Sequence, residues 1–186
     1  MASIAFWKAL YTSGRDAAAL AETPDGYRLE GSAIYLLDGE PASIRYALDI
    51  APDWSATTGT IDGFVGARPI SVHIERHGQR WTLNGMAQPA VDGLVDLDFG
   101  FTPATNYPQL RRMALDVGQT GRITVAWIDV NEATLTPLPQ IYRRTAADAY
   151  DYDSPQGPYR ATLRLAANGF VSLYPDLWEM EAGLPL

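Results

Sequence analysis

The chain has 186 residues, 47% of them hydrophobic and 19% charged, a balance typical of one ordered globular domain covering residues 1–186. The formal net charge of −8 disfavours nucleic acids and anionic membrane surfaces as partners, because both carry negative charge. The absence of cysteine excludes disulfides, thiolate catalysis and cysteine-ligated zinc.

The first residues do not have the pattern of a targeting segment. No basic stretch precedes the apolar run, and Lys8 interrupts it, so no signal peptide is predicted. No stretch approaches the roughly 18 apolar residues of a membrane span, and we therefore expect a cytoplasmic protein. The segment Asp16–Glu22 is alanine-rich and is bounded by Gly14 and Pro24, which predicts a short helix of about two turns.

Alternating apolar and polar residues dominate the rest of the chain and predict four β-hairpins. The pairs are Tyr27–Leu36 with Ser43–Ile50 around Asp38-Gly39, Ile70–Glu75 with Arg80–Leu83 around His77-Gly78, Arg122–Asp129 with Thr134–Arg143 around Asn131-Glu132, and Tyr159–Leu165 with Phe170–Tyr174 around Ala167-Asn168-Gly169. A long meander must cover its edges. We therefore predict an all-β fold with a minor helix, an antiparallel spiral β-roll or open barrel wrapped around that helix. Two packed sheets are the alternative.

The short helix is predicted within residues 103–115. A cap at Thr105 or Asn106 places Pro108 in the first turn, where its missing N–H leaves no hydrogen bond unmade. Gln109, three residues after Asn106, has the spacing of a capping box.

The stretch 96–112 carries the densest polar chemistry of the chain. Asp96 and Asp98 share a face if they lie on a strand, and Arg111 and Arg112 diverge by about 100° on a helix. The carboxylates have several possible uses: recognition of ligand hydroxyl groups, structural pairing with arginine, acid–base chemistry, or binding of a hard cation. A cage for Mg²⁺ or Ca²⁺ needs more oxygens than two carboxylates supply, so no metal is predicted.

Other signals for chemistry are weak. Four strand positions separate His73 from His77 by about 13 Å, too far to share an ion. Neither a Gly-x-Ser-x-Gly elbow nor a phosphate-cradling or dinucleotide-binding glycine loop occurs, so we predict no catalytic residue and no cofactor. The five Trp and ten Tyr residues suit core packing, and equally suit the wall of a pocket for an amphipathic ligand. Trp54 and Trp81 stand at strand ends, where we expect a cavity mouth.

Taken together, these residues resemble the bacterial family of Putative glycolipid-binding proteins over nearly the whole chain. The matching motifs are Trp7, Gly39-Glu40-Pro41, Tyr46 and Asp53-Trp54 early in the chain; Trp81, Asn84-Gly85, Asp96-Leu97-Asp98, Thr102-Pro103-Ala104-Thr105-Asn106 and Arg111-Arg112 at its centre; and Gln140-x-Tyr142-Arg143, Tyr150-x-Tyr152-x-Ser154, Asn168-Gly169 and Tyr174-Pro175 near its end. Ala104 stands where the family pattern has phenylalanine, and Pro108 comes one residue early. The resemblance implies a spiral β-roll or barrel, similar to bacterial lipoprotein-carrier and mycobacterial lipoglycan-binding folds, and a lipid-like ligand.

The leading hypothesis is a non-enzymatic binder of an amphipathic small molecule, such as a glycolipid, in a β-roll cavity. The alternative is an enzyme, a hydrolase, lyase or isomerase, that uses Asp96 and Asp98 as acid and base. A third possibility is that the Asp and Arg residues pair with each other and only stabilise the fold. The predicted ligand-binding residues are Tyr46, Trp54, Trp81, Asp96, Asp98, Thr102, Thr105, Asn106, Arg111, Arg112 and Tyr142.

Overall fold

The computed structural model describes residues 3–185, and within them one continuous sheet of fifteen strands surrounds a single α-helix. The strands are β1 (Ser3–Ala9), β2 (Gly14–Thr23), β3 (Gly26–Leu37), β4 (Glu40–Ile50), β5 (Ala56–Val65), β6 (Arg68–His77), β7 (Arg80–Leu83), β8 (Met86–Ala87), β9 (Leu97–Phe99), β10 (Thr120–Ile128), β11 (Thr136–Ala146), β12 (Ala149–Ser154), β13 (Tyr159–Leu165), β14 (Val171–Tyr174) and β15 (Trp178–Pro185). The helix α1 spans Asn106–Met113, and a 3₁₀ turn spans Pro89–Val91. The predicted all-β fold with a minor helix is confirmed.

The strand order shows how the chain winds. Strands β1 to β8 pair consecutively in one direction, and β15 back to β10 pair consecutively in the other. The first and last strands join these two halves, because β1 pairs antiparallel with β15. Strand β9 adds to β10 in parallel at the far edge. Since every strand belongs to one sheet that does not close, the fold is an open roll, and the alternative of two packed sheets is excluded.

All four predicted hairpins form, as β3–β4, β6–β7, β10–β11 and β13–β14. The turn between β3 and β4 shows why the sequence predicts these hairpins well. Asp38 and Gly39 both take positive φ, 53° and 85°, as a two-residue turn that matches strand twist requires. The burial of β3 alternates along the strand, with Leu29, Ala33 and Tyr35 facing the core.

The predicted helix at Asp16–Glu22 is wrong, because these residues lie in strand β2. Burial alternates there, with Asp16, Ala18 and Leu20 buried and the residues between them more exposed. Alanine is the best helix former, but intrinsic propensities of ordinary residues differ by less than about 1 kcal/mol per residue, and β2 gains backbone partners on both sides from β1 and β3. Pairing with two neighbouring strands therefore outweighs the local propensity.

The open sides of the roll approach one another across a seam. The backbone N–H of Ala56 donates to the carbonyl of Val95 at 2.8 Å, and Leu135 N–H donates to Gln88 Oε1 at 3.0 Å. The guanidinium of Arg68, at the start of β6, donates to the carbonyl of Val130 at 3.3 Å. These contacts hold the β5–β8 side of the roll against the segment around β9 and β10.

Helix α1 fills the interior. Its residues from Asn106 to Leu110 are buried, and Leu110 belongs to a cluster with Tyr142, Tyr150 and Leu163. The largest core side chains include Trp7, which is fully buried. In the part of the chain that the structure describes, no helix is both long enough and apolar enough to cross a membrane.

Candidate functional site

A pocket of about 540 Å³ opens beside the polar 96–112 stretch, and we call it the inner pocket. Three of the sequence-predicted site residues line it: Asp98, Thr102 and Asn106. Its aromatic lining is Phe99, Trp127, Tyr152, Tyr159, Tyr174 and Trp178. Among the described residues that line it there is no lysine, arginine or histidine. The pocket therefore combines a carboxylate with aromatic rings and lacks a cation.

Strands β12, β13 and β14 hold three of these rings in mutual contact. The ring centroids of Tyr152 and Tyr174 are 5.7 Å apart, and those of Tyr159 and Tyr174 are 5.3 Å apart. Tyr159 donates its hydroxyl to the carbonyl of Pro175 at 2.5 Å, which fixes the ring. Burial raises the pKa of both Tyr152 and Tyr159 to about 12, so their hydroxyls are neutral at physiological pH.

Asp98 lies at the centre of strand β9 and is buried. Its Oδ1 accepts a hydrogen bond from the Thr105 hydroxyl at 2.6 Å, and its Oδ2 accepts one from Gln140 Nε2 at 2.8 Å. Burial raises the pKa of this carboxyl, and the hydrogen bonds from Thr105, Gln140 and Gln109 oppose that rise. A carboxylate has about four lone-pair sites, so Asp98 can still accept a hydrogen bond from a ligand beside these three.

Tyr142, on β11, links the start of α1 to the sheet through hydrogen bonds. Its buried hydroxyl accepts a hydrogen bond from Asn106 Nδ2 at 2.9 Å and lies 3.0 Å from Gln140 Oε1 and 3.2 Å from Gln109 Oε1. Asn106 Oδ1 accepts no hydrogen bond from residues 3–185, and it is free to accept one from a ligand in the inner pocket.

The helix begins where it is predicted, but its start is stabilised differently. Thr105 is the N-cap residue, yet its hydroxyl bonds Asp98 and accepts from the backbone N–H of Phe99 at 3.2 Å. The predicted capping box between Asn106 and Gln109 does not form, because both side chains bond Tyr142 instead. The tertiary contacts of these polar groups take the place of local capping.

Asp96 and Arg112 pair with each other away from the inner pocket. Arg112 Nε donates to Asp96 Oδ1 at 2.8 Å, and a terminal nitrogen of the same guanidinium donates to Oδ2. The Asp96 side chain is 3% exposed, and burial raises the pKa of its carboxyl while Arg112 lowers it. Asp98 alone of the two carboxylates lines the inner pocket, so the structure does not bring them together there as an acid–base pair.

Arg111, the adjacent arginine, diverges from Arg112 as predicted. Its guanidinium lies 5.2 Å above the ring of Trp54, which itself stacks on Tyr27 with the ring centroids 3.9 Å apart. Together with Tyr107 these residues line a separate small pocket of about 130 Å³. The structure thus brings Trp54 and Arg111 together, but at a distance from Asp98.

Trp81 lies in the core instead of at a cavity mouth. It is fully buried at the start of β7, where its indole N–H donates to the carbonyl of Leu94 at 2.9 Å. It lines no part of the inner pocket.

Asp16 is a site residue that the sequence analysis missed. Its carboxylate accepts a hydrogen bond from the Thr102 hydroxyl at 2.5 Å, and the Tyr46 hydroxyl lies 3.0 Å from both of its oxygens. Burial raises the pKa of Asp16 to about 6, against the opposing effect of those two hydroxyls. The signal that could have revealed it is the two-residue period of Asp16, Ala18 and Leu20, which marks a strand with Asp16 facing inward.

His73 and His77 approach the same carboxylate on the surface of β6. Their Nε2 atoms lie 3.5 and 3.8 Å from Glu75 Oε1, so the imidazoles are closer together than the spacing of about 13 Å between their backbone positions suggests. The prediction overestimated this distance because both side chains lean toward the residue between them. Within residues 3–185, no group of three or more His, Cys, Asp or Glu side chains is arranged to hold a metal ion.

A wider groove of about 730 Å³ lies on the outer face of strands β1 to β5. Small side chains such as Ala17, Ala19 and Ala47 line it, and Tyr46 is the one sequence-predicted site residue among its lining. We assign the candidate site to the smaller inner pocket because a buried carboxylate and a free amide oxygen converge there with six aromatic rings.

Comparisons with known proteins agree with this architecture. A family model described as Putative glycolipid-binding matches residues 4–180. The crystal structure of a DUF1089 family protein from Pseudomonas aeruginosa is similar with a TM-score of 0.77 and 27% identity, covering 88% of this chain and 91% of that one. A beta-barrel-like protein of the domain of unknown function DUF1849 from Brucella abortus shares the fold with a TM-score of 0.55 at 12% identity, covering 98% and 95% of the two chains. No curated protein matches the sequence. The match over residues 4–180 shows that the chain belongs to the Putative glycolipid-binding family.

Proposed function

We propose that the protein binds a neutral, hydroxyl-bearing amphiphile, such as a glycolipid, in the inner pocket. The observation that carries this proposal is the composition of the pocket wall: Asp98 lines it together with six aromatic residues, and no cationic side chain of the described chain does. The family description of this chain, Putative glycolipid-binding, supports the same class of ligand.

The polar groups of the pocket favour hydroxyl donors. Asp98 has lone pairs to spare, and Asn106 Oδ1 has no partner within residues 3–185, so both accept hydrogen bonds readily. A phosphate or carboxylate head group would instead place negative charge near Asp98 with no arginine or lysine of the pocket wall to balance it. A sugar supplies several hydroxyl donors without charge. In this proposal, Asp98, Thr102 and Asn106 orient the sugar.

The aromatic side chains suit the rest of an amphiphile. Trp127, Trp178 and the three contacting tyrosines offer apolar area with polar tips, which matches a molecule that joins a sugar to an acyl chain. A volume of about 540 Å³ falls within the range of ordinary small-molecule sites. It accommodates a head group and the first part of a chain.

The direct test compares two ligands with the same alkyl chain. We expect dodecyl maltoside, below the concentration at which it forms micelles, to bind in calorimetry and to change the fluorescence of Trp127 and Trp178. Dodecyl phosphate should bind at least about tenfold more weakly, because its charge faces Asp98 without a counter-ion.

A pocket-filling variant locates the binding. Gly157 lines the inner pocket, and a Cβ there meets only Ser154 Oγ at 3.5 Å, so Gly157→Phe fills the pocket without backbone strain. We expect this variant to lose maltoside binding, and Val117→Phe, at a position 58% exposed outside the pocket, to keep it. Equal binding by both variants, or no binding by the wild type, would contradict the proposal.

The enzymatic alternative has less support. Asp98 has the raised pKa and the pocket position that an acid catalyst needs, but its expected partner Asp96 is paired with Arg112 outside the pocket. The cytoplasmic location expected from the sequence stays a prediction, which cell fractionation would test.

A further inference from the structure

Asp16 is a buried carboxylate without a basic partner. It is 0% exposed, and among residues 3–185 it makes no ion pair with lysine, arginine or histidine. Its hydrogen-bond donors are the hydroxyls of Tyr46 and Thr102 and the backbone N–H of Ala17. A buried carboxylate that is ionised without a cationic partner destabilises the folded protein. Such a residue is therefore a candidate for a functional role.

The contacts of Asp16 lead directly to the wall of the inner pocket. Thr102 belongs to the loop 100–105, which joins β9 to α1, and Gly100, Thr102 and Pro103 of that loop line the pocket. The Thr102 hydroxyl oxygen also accepts the backbone N–H of Ala104 at 3.0 Å. Thr102 therefore connects Asp16 on β2, 86 positions away in sequence, to the backbone that forms one side of the pocket.

We propose that Asp16 is a positioning residue of the inner pocket: its carboxylate holds the loop 100–105 in place through Thr102, and protonation of Asp16 loosens the loop and weakens ligand binding. The expected change in ligand binding rests on the proposed function above, whereas the expected change in the loop 100–105 does not.

The chemistry of the two protonation states gives the direction of the effect. The ionised carboxylate accepts hydrogen bonds from Tyr46 and Thr102 at the same time. The protonated acid has one oxygen that donates, so one of the two hydroxyls has to turn, and the Tyr46 and Thr102 hydroxyl oxygens, 3.0 Å apart, can then bond each other. Thr102 thereby exchanges a hydrogen bond to a charged carboxylate for a weaker one between neutral hydroxyls. Thr102 is the more easily released, because it lies on a loop whereas Tyr46 lies within β4.

Three carboxylates whose pKa is raised by burial touch the loop 100–105: Asp16 through Thr102, Asp98 through Thr105, and Asp129 beside Gly100. The neighbouring hydroxyl of Tyr46, and those of Tyr35 on β3 and Tyr11 before β2, all have a raised pKa caused mainly by burial, so they remain neutral between pH 5 and 8. Asp129 acts on Tyr11 and Tyr35, and burial raises its own pKa as well. With a pKa of about 6, Asp16 changes charge within that range.

The loop is tested first without any ligand. Hydrogen exchange of the Ala104 amide, corrected for the intrinsic effect of pH, should show several-fold less protection at pH 5.0 than at pH 7.5 in the wild-type protein. The Asp16→Asn variant should show equal protection at both pH values, because its side chain does not titrate. Asp129→Asn tests the rival carboxylate, which is partly buried beside Gly100 of the loop and has a raised pKa, and this variant should keep the wild-type pH dependence. Loss of the pH dependence in Asp129→Asn would assign the effect to Asp129 and overturn the inference.

Binding is tested with dodecyl maltoside at the same two pH values. We expect the wild-type affinity to fall several-fold at pH 5.0, and this fall to be smaller in Asp16→Asn and in Thr102→Val. The part that remains is expected from Asp98, which lines the pocket and whose pKa is also raised by burial. Thr102→Val removes the connecting hydroxyl and keeps Asp16, and it remains informative where Asp16→Asn fails to fold. Because Thr102 also lines the pocket, we expect a lower affinity at both pH values, and the ratio of the two affinities tests the connection to Asp16.

The outcomes separate the two proposals. Absence of maltoside binding at both pH values contradicts the proposed function, while the exchange of Ala104 still decides the role of Asp16. An Ala104 protection that is the same at both pH values in the wild type, or that still depends on pH in Asp16→Asn, overturns the inference about Asp16.

Discussion

Three buried aspartates near α1 are stabilised by three kinds of donor. Asp96 has a guanidinium partner, Asp98 has the neutral donors Thr105 and Gln140, and Asp16 has two hydroxyls. A guanidinium compensates the charge of a buried carboxylate, whereas neutral donors satisfy its hydrogen bonds and leave its negative charge in place. The three residues therefore contribute to stability and to binding in different ways.

The pairing of Asp96 with Arg112 predicts unequal roles for two adjacent arginines. Arg112→Gln leaves the buried Asp96 carboxylate without its counter-ion, and we expect a loss of about 2 kcal/mol or more in the free energy of unfolding. Arg111→Gln is the matched control, since it removes only an exposed cation–π contact with Trp54 and should cost less than about 1 kcal/mol. Urea denaturation measures both values. Equal losses would show that Asp96 does not depend on its guanidinium partner.

Asp16 predicts a pH dependence of stability with a defined sign. Its pKa in the folded state is about 6, above the value of 3.8 expected when it is unfolded, so the folded state binds more protons between these values. The contribution of Asp16 to global stability is therefore fully present below about pH 4 and is lost as the pH rises to about 6. This contribution concerns complete unfolding, in which Asp16 becomes hydrated, whereas release of Thr102 alone leaves Asp16 buried. The difference approaches about 3 kcal/mol for this fully buried group.

The measurement is chemical denaturation at pH 4.5 and pH 7.5. The drop in stability between these values should be smaller in Asp16→Asn than in the wild type, and unchanged in Asp148→Asn, whose side chain is 63% exposed. An unchanged drop in Asp16→Asn would show that Asp16 titrates in the folded state as it does when unfolded.

At the scale of elements, α1 is held by side-chain hydrogen bonds from the sheet. The helix has eight residues, too short to be stable alone, and its N-cap residue makes no side-chain cap. Its first turn depends instead on Asn106 and Gln109, which both contact the Tyr142 hydroxyl. Because Asn106 also lines the inner pocket, the geometry of the pocket depends on the same hydroxyl.

Removal of that hydroxyl should loosen the helix. Tyr142→Phe leaves the buried amide of Asn106 without its partner, and we expect a loss of about 1–3 kcal/mol in the free energy of unfolding together with faster exchange of the α1 amides. Tyr150→Phe is the control: this tyrosine is also buried, on neighbouring strand β12, and its hydroxyl makes no hydrogen bond to residues 3–185. Similar exchange rates in the two variants would contradict this role of Tyr142.

At the scale of the whole molecule, the pairing of β1 with β15 joins the two halves of the sheet. The backbone of Ser3 lies opposite Pro185, so the two ends of the described chain are neighbours. Each half alone would expose a further strand edge and the apolar face that the other half covers. The stability of the roll therefore depends on a contact between the most distant parts of the sequence.

Neighbouring ends predict that the protein tolerates circular permutation. A permutant with the original ends joined by a short linker and new ends in the exposed turn at Gly78 should keep the far-ultraviolet dichroism and melting temperature of the wild type within a few degrees. A permutant opened between Thr102 and Pro103 cuts the wall of the inner pocket and should lose stability and maltoside binding. Failure of the Gly78 permutant to fold would contradict the inferred role of the β1–β15 contact.

Much of the architecture could be predicted from sequence, because hairpins are local. The turn at Asp38-Gly39 and the alternation on either side of it lie within a few residues of each other, and so do the start of α1 at Asn106 and the position of Pro108 in its first turn. Strand β2 was predicted wrongly because its partners β1 and β3 decide its conformation more strongly than its own alanines do.

The sequence by itself determined the all-β class, the hairpins, the short helix and the polar stretch beside which the pocket opens, because periodicity, turn residues and composition act over short distances. Only the tertiary structure decided which polar groups meet. Gln140 reaches Asp98 across 42 positions, Thr102 reaches Asp16 across 86, and Arg111 and Arg112 separate onto different partners. Such contacts follow from how the sheet curls around α1, and no local pattern of residues specifies that curvature.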